Sequence, residues 1–459
     1  MIRFDLAQLA KQLDGKLVFV TKQQSGTIAS VTTDSRHIDN DGLFIALRGE
    51  RFDGHEFAAT AVANGAKALL VERQLPLDVA QIVVPDCHRA LGQLGALVRD
   101  VVNPLCLALT GSNGKTTVKE MVAAICAQRK QVLFTAGNFN NDIGVPLTLL
   151  RLTEGDEIGV FELGANHPGE IDYTSALVRP DVALVNNVAS AHLAGFGSEA
   201  GVARTKSEIF RHLAPNGVAI INADDKYAAV MHQAAGQHRQ LTFGVAAEAD
   251  IRATALQADA AGCYRFTLNY LEKQIDIVLP LAGRHQVSNA LAASGICIAA
   301  GFSLAEIASG LAGLTPVKGR MVPHQFGRIL LVDDSYNANP ASVGAAIDWL
   351  KEIAENRVLV LGDLGELGDN ASLLHGELGA KAKAAGINNL FCLGTLSRAA
   401  SEAFGSEHFT ELDVLNRALI HHIQQLPGQV TVLIKGSRSA GMERVVAALS
   451  TACGRGELI

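Results

Sequence analysis

The segment that most constrains the fold joins an apolar run to an amphipathic helix through a glycine-containing loop. Residues 105–109 (LCLAL) have the composition of a buried strand, and residues 115–129 carry apolar side chains at helical spacing on one face. The loop falls within residues 110–117 (TGSNGKTT). A strand, a glycine loop and a helix in this order are typical of a parallel α/β sheet that binds phosphate at the loop. We therefore expect an α/β fold with a mononucleotide-binding domain.

Strand-like and helix-like segments alternate along most of the chain. Its 459 residues exceed one ordinary domain, and a hydrophobic content of 48% supplies core material for several. Asn103-Pro104 interrupts the pattern, because proline disfavours helical geometry in the residue before it. A second interruption lies between Pro316 and Pro323. These breaks predict three α/β domains, at residues 1–102, 103–315 and 316–459.

Local patterns within these domains predict two helices and one hairpin. The helices are expected at residues 54–65 and 88–101. Period-two alternation at residues 264–270 (YRFTLNY) and 274–279 (QIDIVL) indicates a hairpin on the edge of a mainly parallel sheet. The last domain repeats the strand–helix alternation, which predicts a Rossmann-like sheet there.

Charge and cysteine usage exclude several classes of protein. The formal net charge of -7 argues against a general binder of nucleic acid or anionic membranes. The seven cysteines form no CxxC pair and mostly lie in apolar segments, which indicates free thiols in a reducing compartment. We find neither a signal peptide nor an apolar run of membrane-spanning length. We expect a soluble, cytoplasmic and monomeric protein.

The glycine loop supplies the groups that a triphosphate requires. Gly111 and Gly114 permit backbone conformations in which successive N–H groups point at phosphate oxygens. The N-terminus of the following helix adds a partial positive charge. Lys115 can reach the β- and γ-phosphates, and the Thr116 hydroxyl can bind Mg²⁺. The structural alternative is a glycine-rich turn with an exposed lysine. The expected ATP-loop residues are Gly111, Ser112, Asn113, Gly114, Lys115, Thr116 and Thr117.

The shortened loop spacing, GxxGKT, resembles that of the Mur ligase family. Further segments resemble the family in order along the chain: TDSR at 33–36, GERFDGH at 49–55, TAGNFNNDIGVP at 135–146, LGANHPGEI at 163–171, GRHQVSNALAAS at 283–294, DDSYNANPA at 333–341 and KGSR at 435–438. The third and sixth segments resemble the branch that adds a dipeptide. The DNPR signature of the branch that adds diaminopimelate is absent from the sequence.

The resemblance implies metal-binding roles for residues that otherwise have ordinary structural interpretations. Glu162 ends a predicted strand and is expected to hold the Mg²⁺ of ATP with Thr116; taken alone it is equally a strand-end acid. His192 matches the family's ligand for a second Mg²⁺, and Lys206 matches its carbamylated lysine. CO₂ adds only to a neutral amine, which burial and neighbouring cations favour. Without the resemblance, His192 would be structural and Lys206 a surface lysine.

The remaining site residues also follow from the resemblance. Asn289 is expected to contact adenine, and Arg320 and Asp334 are expected to reach ATP from across the domain joint. Ser35 and Arg36 are expected to contact UDP, since an arginine fork suits a pyrophosphate. A capped turn with a solvated arginine is the alternative there. The expected catalytic residues are Lys115, His192, Lys206 and Arg320, and the expected contacts to the carboxylate and amine substrates are Asn138, Asn140, Asn141, Tyr336, Asn337, Asn339, Lys435 and Arg438.

The resemblance therefore implies an ATP-dependent, ADP-forming ligase of peptidoglycan precursor synthesis, which serves the cell wall, cell shape and cell division. It would add D-alanyl-D-alanine to a UDP-N-acetylmuramoyl-tripeptide through an acyl phosphate, using ATP and two Mg²⁺ ions. The N-terminal domain would bind the UDP-linked peptide, the central domain ATP and the C-terminal domain the amine. Ligases for a diaminoacid or for folate polyglutamation are alternatives within the same chemistry. A nucleotide-binding switch without ligation is the alternative from another class.

Overall fold

The computed structural model describes residues 2–18, 26–49, 51–190, 193–353, 356–456 and 458. His192, one of the expected metal ligands, lies outside the described residues. The elements form a two-stranded ribbon and three larger sheets with five, nine and six strands. The three larger sheets follow each other along the chain and have helices beside them, so the three-domain α/β fold class is confirmed. The limits at residues 102 and 315 stay predictions.

The N-terminal sheet has the strand order β2-β7-β6-β5-β4, with β2 antiparallel to β7 and the other pairs parallel. Strand β1 pairs with β3 in a separate ribbon. The elements are β1 (Phe4–Asp5), α1 (Leu6–Gln12), β2 (Lys16–Val18), β3 (Thr27–Ile28), β4 (Ser30–Thr32), β5 (Gly42–Ile45), α2 (Ala58–Ala63), β6 (Ala68–Val71), β7 (Ala80–Val83) and α3 (Cys87–Val102).

One predicted helix in this domain is wrong in part. Residues 54–65 begin as a 3₁₀ helix, Gly54–Phe57, and only Ala58–Ala63 is α-helical. The Asp53 carboxylate accepts a hydrogen bond from the His55 N–H at 2.9 Å, which fixes the tighter first turn. The second helix is confirmed, and it ends at Asn103 in a left-handed conformation before Pro104.

The central sheet has the strand order β16-β15-β14-β13-β12-β11-β8-β10-β9. From β14 across to β9 in this order, all neighbouring strands are parallel. Strand β15 is antiparallel to both of its neighbours, β14 and β16. The elements are β8 (Leu105–Thr110), α4 (Lys115–Cys126), β9 (Val132–Phe134), α5 (Gly144–Leu149), β10 (Ile158–Glu162), α6 (Glu170–Val178), β11 (Val182–Val185), α7 (Leu193–Phe196), α8 (Glu199–Ser207), β12 (Val218–Asn222), α9 (Ala228–Ala235), β13 (Arg239–Gly244), β14 (Ile251–Ala258), β15 (Cys263–Tyr270), β16 (Lys273–Ala282), α10 (His285–Ala299) and α11 (Leu304–Ala312).

The predicted hairpin and the predicted amphipathic helix of this domain are confirmed. Strands β15 and β16 form the antiparallel edge. The apolar face of α4 packs in one core with Leu107 and Leu109 of β8. The helix is shorter than predicted, because it ends at Cys126 rather than residue 129.

The C-terminal sheet has the order β17-β18-β22-β19-β20-β21, parallel except for the edge strand β17. The predicted Rossmann-like alternation is therefore confirmed. The elements are β17 (Val322–Phe326), β18 (Ile329–Asp334), α12 (Pro340–Glu352), β19 (Asn356–Gly362), α13 (Ala371–Ala384), β20 (Asn389–Leu393), α14 (Arg398–Phe404), β21 (His408–Phe409), α15 (Leu412–Gln425), β22 (Val430–Lys435) and α16 (Glu443–Gly454).

The structure also describes the state of the cysteines and the apolar character of the helices. All seven cysteines are free, and six of them are buried. Within the described residues, no helix combines the length and apolar character needed to cross a membrane.

The C-terminal core should be sensitive to loss of side-chain volume in β22. Leu433 is fully buried, and we expect Leu433→Ala to destabilise this domain by about 2–5 kcal/mol through lost burial and the cavity left behind. Trp349, the chain's single tryptophan, is 3% exposed in the same core, so its fluorescence in urea reports this unfolding. The matched control is Val414→Ala, at a side chain that is 43% exposed, with an expected change below about 0.5 kcal/mol. Equal midpoints for both variants would contradict this account of the core.

Candidate active site

A cavity of about 820 Å³ lies where loops of the central and C-terminal sheets meet. Parallel pairing places the carboxyl ends of β8, β10 and β11 at one edge, which is where ligands of open α/β sheets bind. Most of the expected site residues line this cavity. They are Ser112, Asn113, Gly114, Lys115, Thr116, Thr117, Asn138, Asn140, Asn141, Glu162, Asn289, Arg320, Asp334, Tyr336, Asn337, Asn339, Lys435 and Arg438. Gly111, Lys206, Ser35 and Arg36 do not line it.

The glycine loop runs from the end of β8 into the first turn of α4. Gly114 has φ +77°, and a Cβ there would lie 2.3 Å from Asn289 Oδ1, so both conformation and space require glycine. The ammonium of Lys115 donates to the carbonyl of Gly111 at 2.8 Å. Desolvation lowers the pKa of Lys115, with Arg320 acting in the same direction and Glu162 opposing it. The Lys115 side chain therefore bends back and contacts the backbone of its own glycine loop.

Two asparagines at the end of β11, Asn186 and Asn187, hold this loop through hydrogen bonds. Asn187 Oδ1 accepts from the Asn113 N–H at 2.8 Å, and Asn186 donates to the Asn113 carbonyl at 2.9 Å and to Asn289 Oδ1 at 3.0 Å. Asn339, from the C-terminal domain, donates to Asn113 Oδ1 at 2.8 Å. Asn113 therefore links the phosphate loop to the end of β11 in the central domain and to Asn339 in the C-terminal domain. Asn186 and Asn187 were not predicted as site residues, although both directly follow β11 beside the loop.

Glu162, at the end of β10, supplies a carboxylate suited to a divalent cation. The side chain is 2% exposed; Oε1 accepts from Asn140 Nδ2 at 2.8 Å, whereas Oε2 is buried without a hydrogen-bond partner. Thr116 Oγ1 accepts from Arg320 at 3.0 Å in the same cavity. An uncompensated carboxylate oxygen near a hydroxyl fits Mg²⁺, which takes few protein oxygens and keeps phosphate and water ligands.

No group of three or more His, Cys, Asp or Glu suited to a metal occurs among the described residues, which leave out His192. Among the described residues, Glu162 and Thr116 carry oxygen atoms suited to the Mg²⁺ of a nucleotide.

Lys206 lies on α8 with only 2% of its surface exposed, so the surface-lysine interpretation is wrong. Burial, with a smaller effect of Lys115, holds the pKa of Lys206 well below its usual value. A lowered pKa favours the unprotonated amine, which addition of CO₂ requires.

The C-terminal domain contributes one wall of the cavity. Lys435 Nζ lies 2.6 Å from Asp334 Oδ2, and both side chains are almost fully buried. The Arg320 guanidinium lies 4.5 Å from the centre of the Tyr336 ring, which orients it towards Thr116. Arg438 stays exposed near the rim and pairs with Glu443 at 3.5 Å. Lys435 is buried and held by Asp334, whereas Arg438 is exposed and its contact with Glu443 is longer, so Arg438 is the more accessible cation for a carboxylate.

His285 also lines the cavity and was not predicted. Desolvation lowers the pKa of His285 to about 4, with Asp334 opposing and Lys435 reinforcing the shift. Its imidazole is therefore neutral at physiological pH. The sequence offered a signal, because His285 lies within the GRHQVSNALAAS segment already singled out for Asn289.

Ser35 and Arg36 lie apart from the cavity. The Arg36 guanidinium forms a two-point contact with the Asp34 carboxylate, at 2.9 and 2.7 Å, and its side chain is 77% exposed. This arginine contact holds the pKa of Asp34 well below its usual range. The carbonyl of Ser35 accepts from Asn64 at 2.8 Å. The arrangement is that of the capped turn considered above, and the UDP role of both residues stays a prediction.

Comparison with known protein families matches the three parts of the chain separately. The pattern described as "Mur ligase family, catalytic domain" matches residues 27–105. "Mur ligase middle domain" matches residues 109–297, and "Mur ligase, glutamate ligase domain" matches residues 319–438.

Individual relatives and solved structures extend the similarity along the chain. The UDP-N-acetylmuramoyl-tripeptide–D-alanyl-D-alanine ligase of Escherichia coli strain K12 is 48% identical over 98% of this chain and 99% of its own. The enzyme of the same name from Bacillus subtilis strain 168 is 34% identical over 97% and 98%. A crystal structure of MurF from Acinetobacter baumannii superposes with a TM-score of 0.94, at 40% identity over 98% and 99%.

A more distant solved structure retains the same arrangement. The crystal structure of MurF ligase from Thermotoga maritima in complex with ADP superposes with a TM-score of 0.84, at 27% identity over 93% of this chain and 98% of its own. Similarity thus runs through the glycine loop, the strand-end carboxylate and the C-terminal wall rather than through one domain alone. The chain belongs to the Mur ligase family.

Proposed function

We propose that this chain is an ATP-dependent, ADP-forming ligase that joins D-alanyl-D-alanine to the peptide carboxylate of UDP-N-acetylmuramoyl-tripeptide. The observation that carries the proposal is the direct contact of the phosphate loop with the C-terminal wall. Asn339 reaches Asn113 and Arg320 reaches Thr116, so the residues proposed to bind nucleotide and those proposed to bind the amine line one cavity. Relatives bearing this ligase's name, 48% and 43% identical over 98% of the chain, support the choice of substrates.

The first step transfers the γ-phosphate of ATP to the substrate carboxylate. A carboxylate oxygen attacks phosphorus, the bond to the bridging oxygen breaks, and an acyl phosphate and ADP form. Phosphoryl transfer depends on positioning and on charge neutralisation rather than on covalent help from the protein. Lys115 and Arg320 supply fixed positive charge at the loop. Mg²⁺, when bound by Glu162 and Thr116, would neutralise further phosphate charge.

The second step forms the amide bond. The neutral amine of the dipeptide attacks the acyl carbon, and inorganic phosphate leaves the tetrahedral intermediate. Tyr336, Asn337 and Asn339 lie on the cavity wall where the amine substrate would enter. Arg438 lies at the same wall and would hold the dipeptide's carboxylate. Three domains suit this chemistry, because ATP, a carboxylate and an amine must converge while water is excluded.

The finer assignments complete the proposal. Asn289 would contact adenine, and Ser35 and Arg36 would contact UDP once Arg36 exchanges Asp34 for phosphate. We further propose two Mg²⁺ ions, with His192 and carbamylated Lys206 at the second, and a cytoplasmic monomer with domains at residues 1–102, 103–315 and 316–459.

The substrate assignment is tested by measuring ADP release with one amine at a time. With UDP-N-acetylmuramoyl-tripeptide present, D-alanyl-D-alanine should stimulate release strongly, whereas diaminopimelate and glutamate should not. A Lys115→Met sample serves as the control for contaminating ATPase. Stimulation by diaminopimelate on the muramoyl-dipeptide would favour the diaminoacid ligase, and stimulation by glutamate on a folate would favour the folate ligase. ATP binding without stimulation by any amine would favour a nucleotide switch.

The carbamate assignment is tested by Lys206→Arg. Arginine keeps a long basic side chain but cannot form the carbamate, so we expect kcat to fall at least ~100-fold, the scale for losing a preorganised charge-stabilising group. The matched control is Lys226→Arg, at an exposed lysine that pairs with Glu199 at 2.7 Å, and it should keep wild-type turnover. Turnover of the Lys206 variant within about threefold of the wild type would remove the carbamate role.

A further inference from the structure

Lys119 is a buried cation to which the proposed mechanism gives no task. It lies one helical turn after Lys115 on α4 and is 1% exposed. Its neighbours Val118, Met121 and Val122 are fully buried apolar residues. Burial of an ammonium group costs several kcal/mol unless hydrogen bonds and a counter-charge compensate it. A long apolar side chain would fill the same volume without this cost, so the charge itself requires an explanation.

The ammonium of Lys119 holds the residue that opens the asparagine-containing loop. Its Nζ donates to the carbonyl of Thr135 at 2.8 Å and lies 2.8 Å from the Glu120 carboxylate. It also lies 5.4 Å from the centre of the Phe134 ring. Thr135 directly follows β9 and is fully buried. The helix that carries the phosphate loop is therefore tied to the start of residues 135–141.

Thr135 in turn holds the backbone of Glu162. The Thr135 hydroxyl accepts from the Glu162 N–H at 3.0 Å, and the Thr135 N–H donates to the Val160 carbonyl at 3.0 Å. Five residues later, Asn140 donates to Glu162 Oε1 at 2.8 Å, and its carbonyl accepts from the Gly164 N–H at 2.7 Å. Both ends of this loop therefore fix the position of Glu162, one through the backbone and the other through the carboxylate.

We propose that Lys119 is a positioning residue that sets the distance between the phosphate loop and the Glu162 carboxylate by fixing Thr135. The inference rests on the proposed function, because it takes Glu162 to be the carboxylate that holds the Mg²⁺ of the nucleotide. Lys119 itself does not line the cavity. It connects α4, whose first turn bears Lys115 and Thr116, to the loop and strand that hold Glu162 at the cavity wall. Loss of the Lys119 charge should therefore weaken the nucleotide binding that depends on Mg²⁺.

The test compares Lys119→Met with the wild type by titrating Mg²⁺ into calorimetric measurements of ADP binding. Methionine keeps the length and apolar stem of the side chain but removes its charge. We expect the Mg²⁺ concentration for half-maximal ADP binding to rise about 10- to 100-fold, the scale for losing a group that orients a metal ligand. ADP affinity without Mg²⁺ should change less than about threefold. The matched control is Lys130→Met, at a half-exposed lysine that pairs with Glu157, and it should leave the Mg²⁺ dependence unchanged.

A second variant decides the question if Lys119→Met does not fold. Thr135→Val removes the hydroxyl that accepts a hydrogen bond from the Glu162 N–H but keeps the backbone carbonyl that Lys119 contacts. This variant should also raise the Mg²⁺ concentration needed for half-maximal ADP binding. A folded Lys119→Met, or failing that a folded Thr135→Val, with wild-type Mg²⁺ dependence would overturn the inference. Failure of the proposed function looks different: the wild type itself would release no ADP in response to D-alanyl-D-alanine, whatever the Mg²⁺ titration gives.

Discussion

Parallel pairing of β8 with β10 and β11 is the constraint on which the rest of the site depends. Parallel strands deliver their carboxyl ends to one edge, so the glycine loop, Glu162 and Asn186 meet there although they lie far apart in sequence. The buried apolar faces of β8 and α4 hold this edge rigidly. Polar groups at this edge can therefore lack hydrogen-bond partners, as Glu162 Oε2 does, without destabilising the sheet.

Contacts between the central and C-terminal domains bring the residues proposed for nucleotide binding next to those proposed for the amine substrate. Arg320 and Asn339 cross the joint to Thr116 and Asn113, so the C-terminal domain touches the residues expected to hold phosphate and metal. Electrostatic stabilisation is most effective where charged groups are fixed before the reaction and water is excluded. The buried pair of Lys435 and Asp334 helps to fix this wall, because each removes the cost of burying the other.

Much of this could be predicted from the sequence, since local rules govern it. The strand–loop–helix unit follows from apolar periodicity and glycine placement, and the β15–β16 hairpin follows from period-two alternation. Strand order could not be predicted, because β8 pairs with β10 and β11 rather than with β9, its next strand in sequence. Neither could the pairing of Lys435 with Asp334 or the complete burial of Lys119, which depend on side chains brought together from distant segments. Short strands such as β3 and β21 were also missed, because two residues carry no measurable period.

The central claim is that the cavity passes phosphate from ATP to a carboxylic acid. It is tested most directly by supplying a muramoyl tripeptide whose terminal carboxylate carries ¹⁸O in both oxygens, and by analysing the inorganic phosphate released during amide formation by mass spectrometry. If an acyl phosphate forms, the oxygen that bridges carbon and phosphorus leaves with the phosphate, so each phosphate should contain one ¹⁸O atom. Release of unlabelled phosphate during amide formation would show that phosphate and carboxylate never became joined, and would contradict the account.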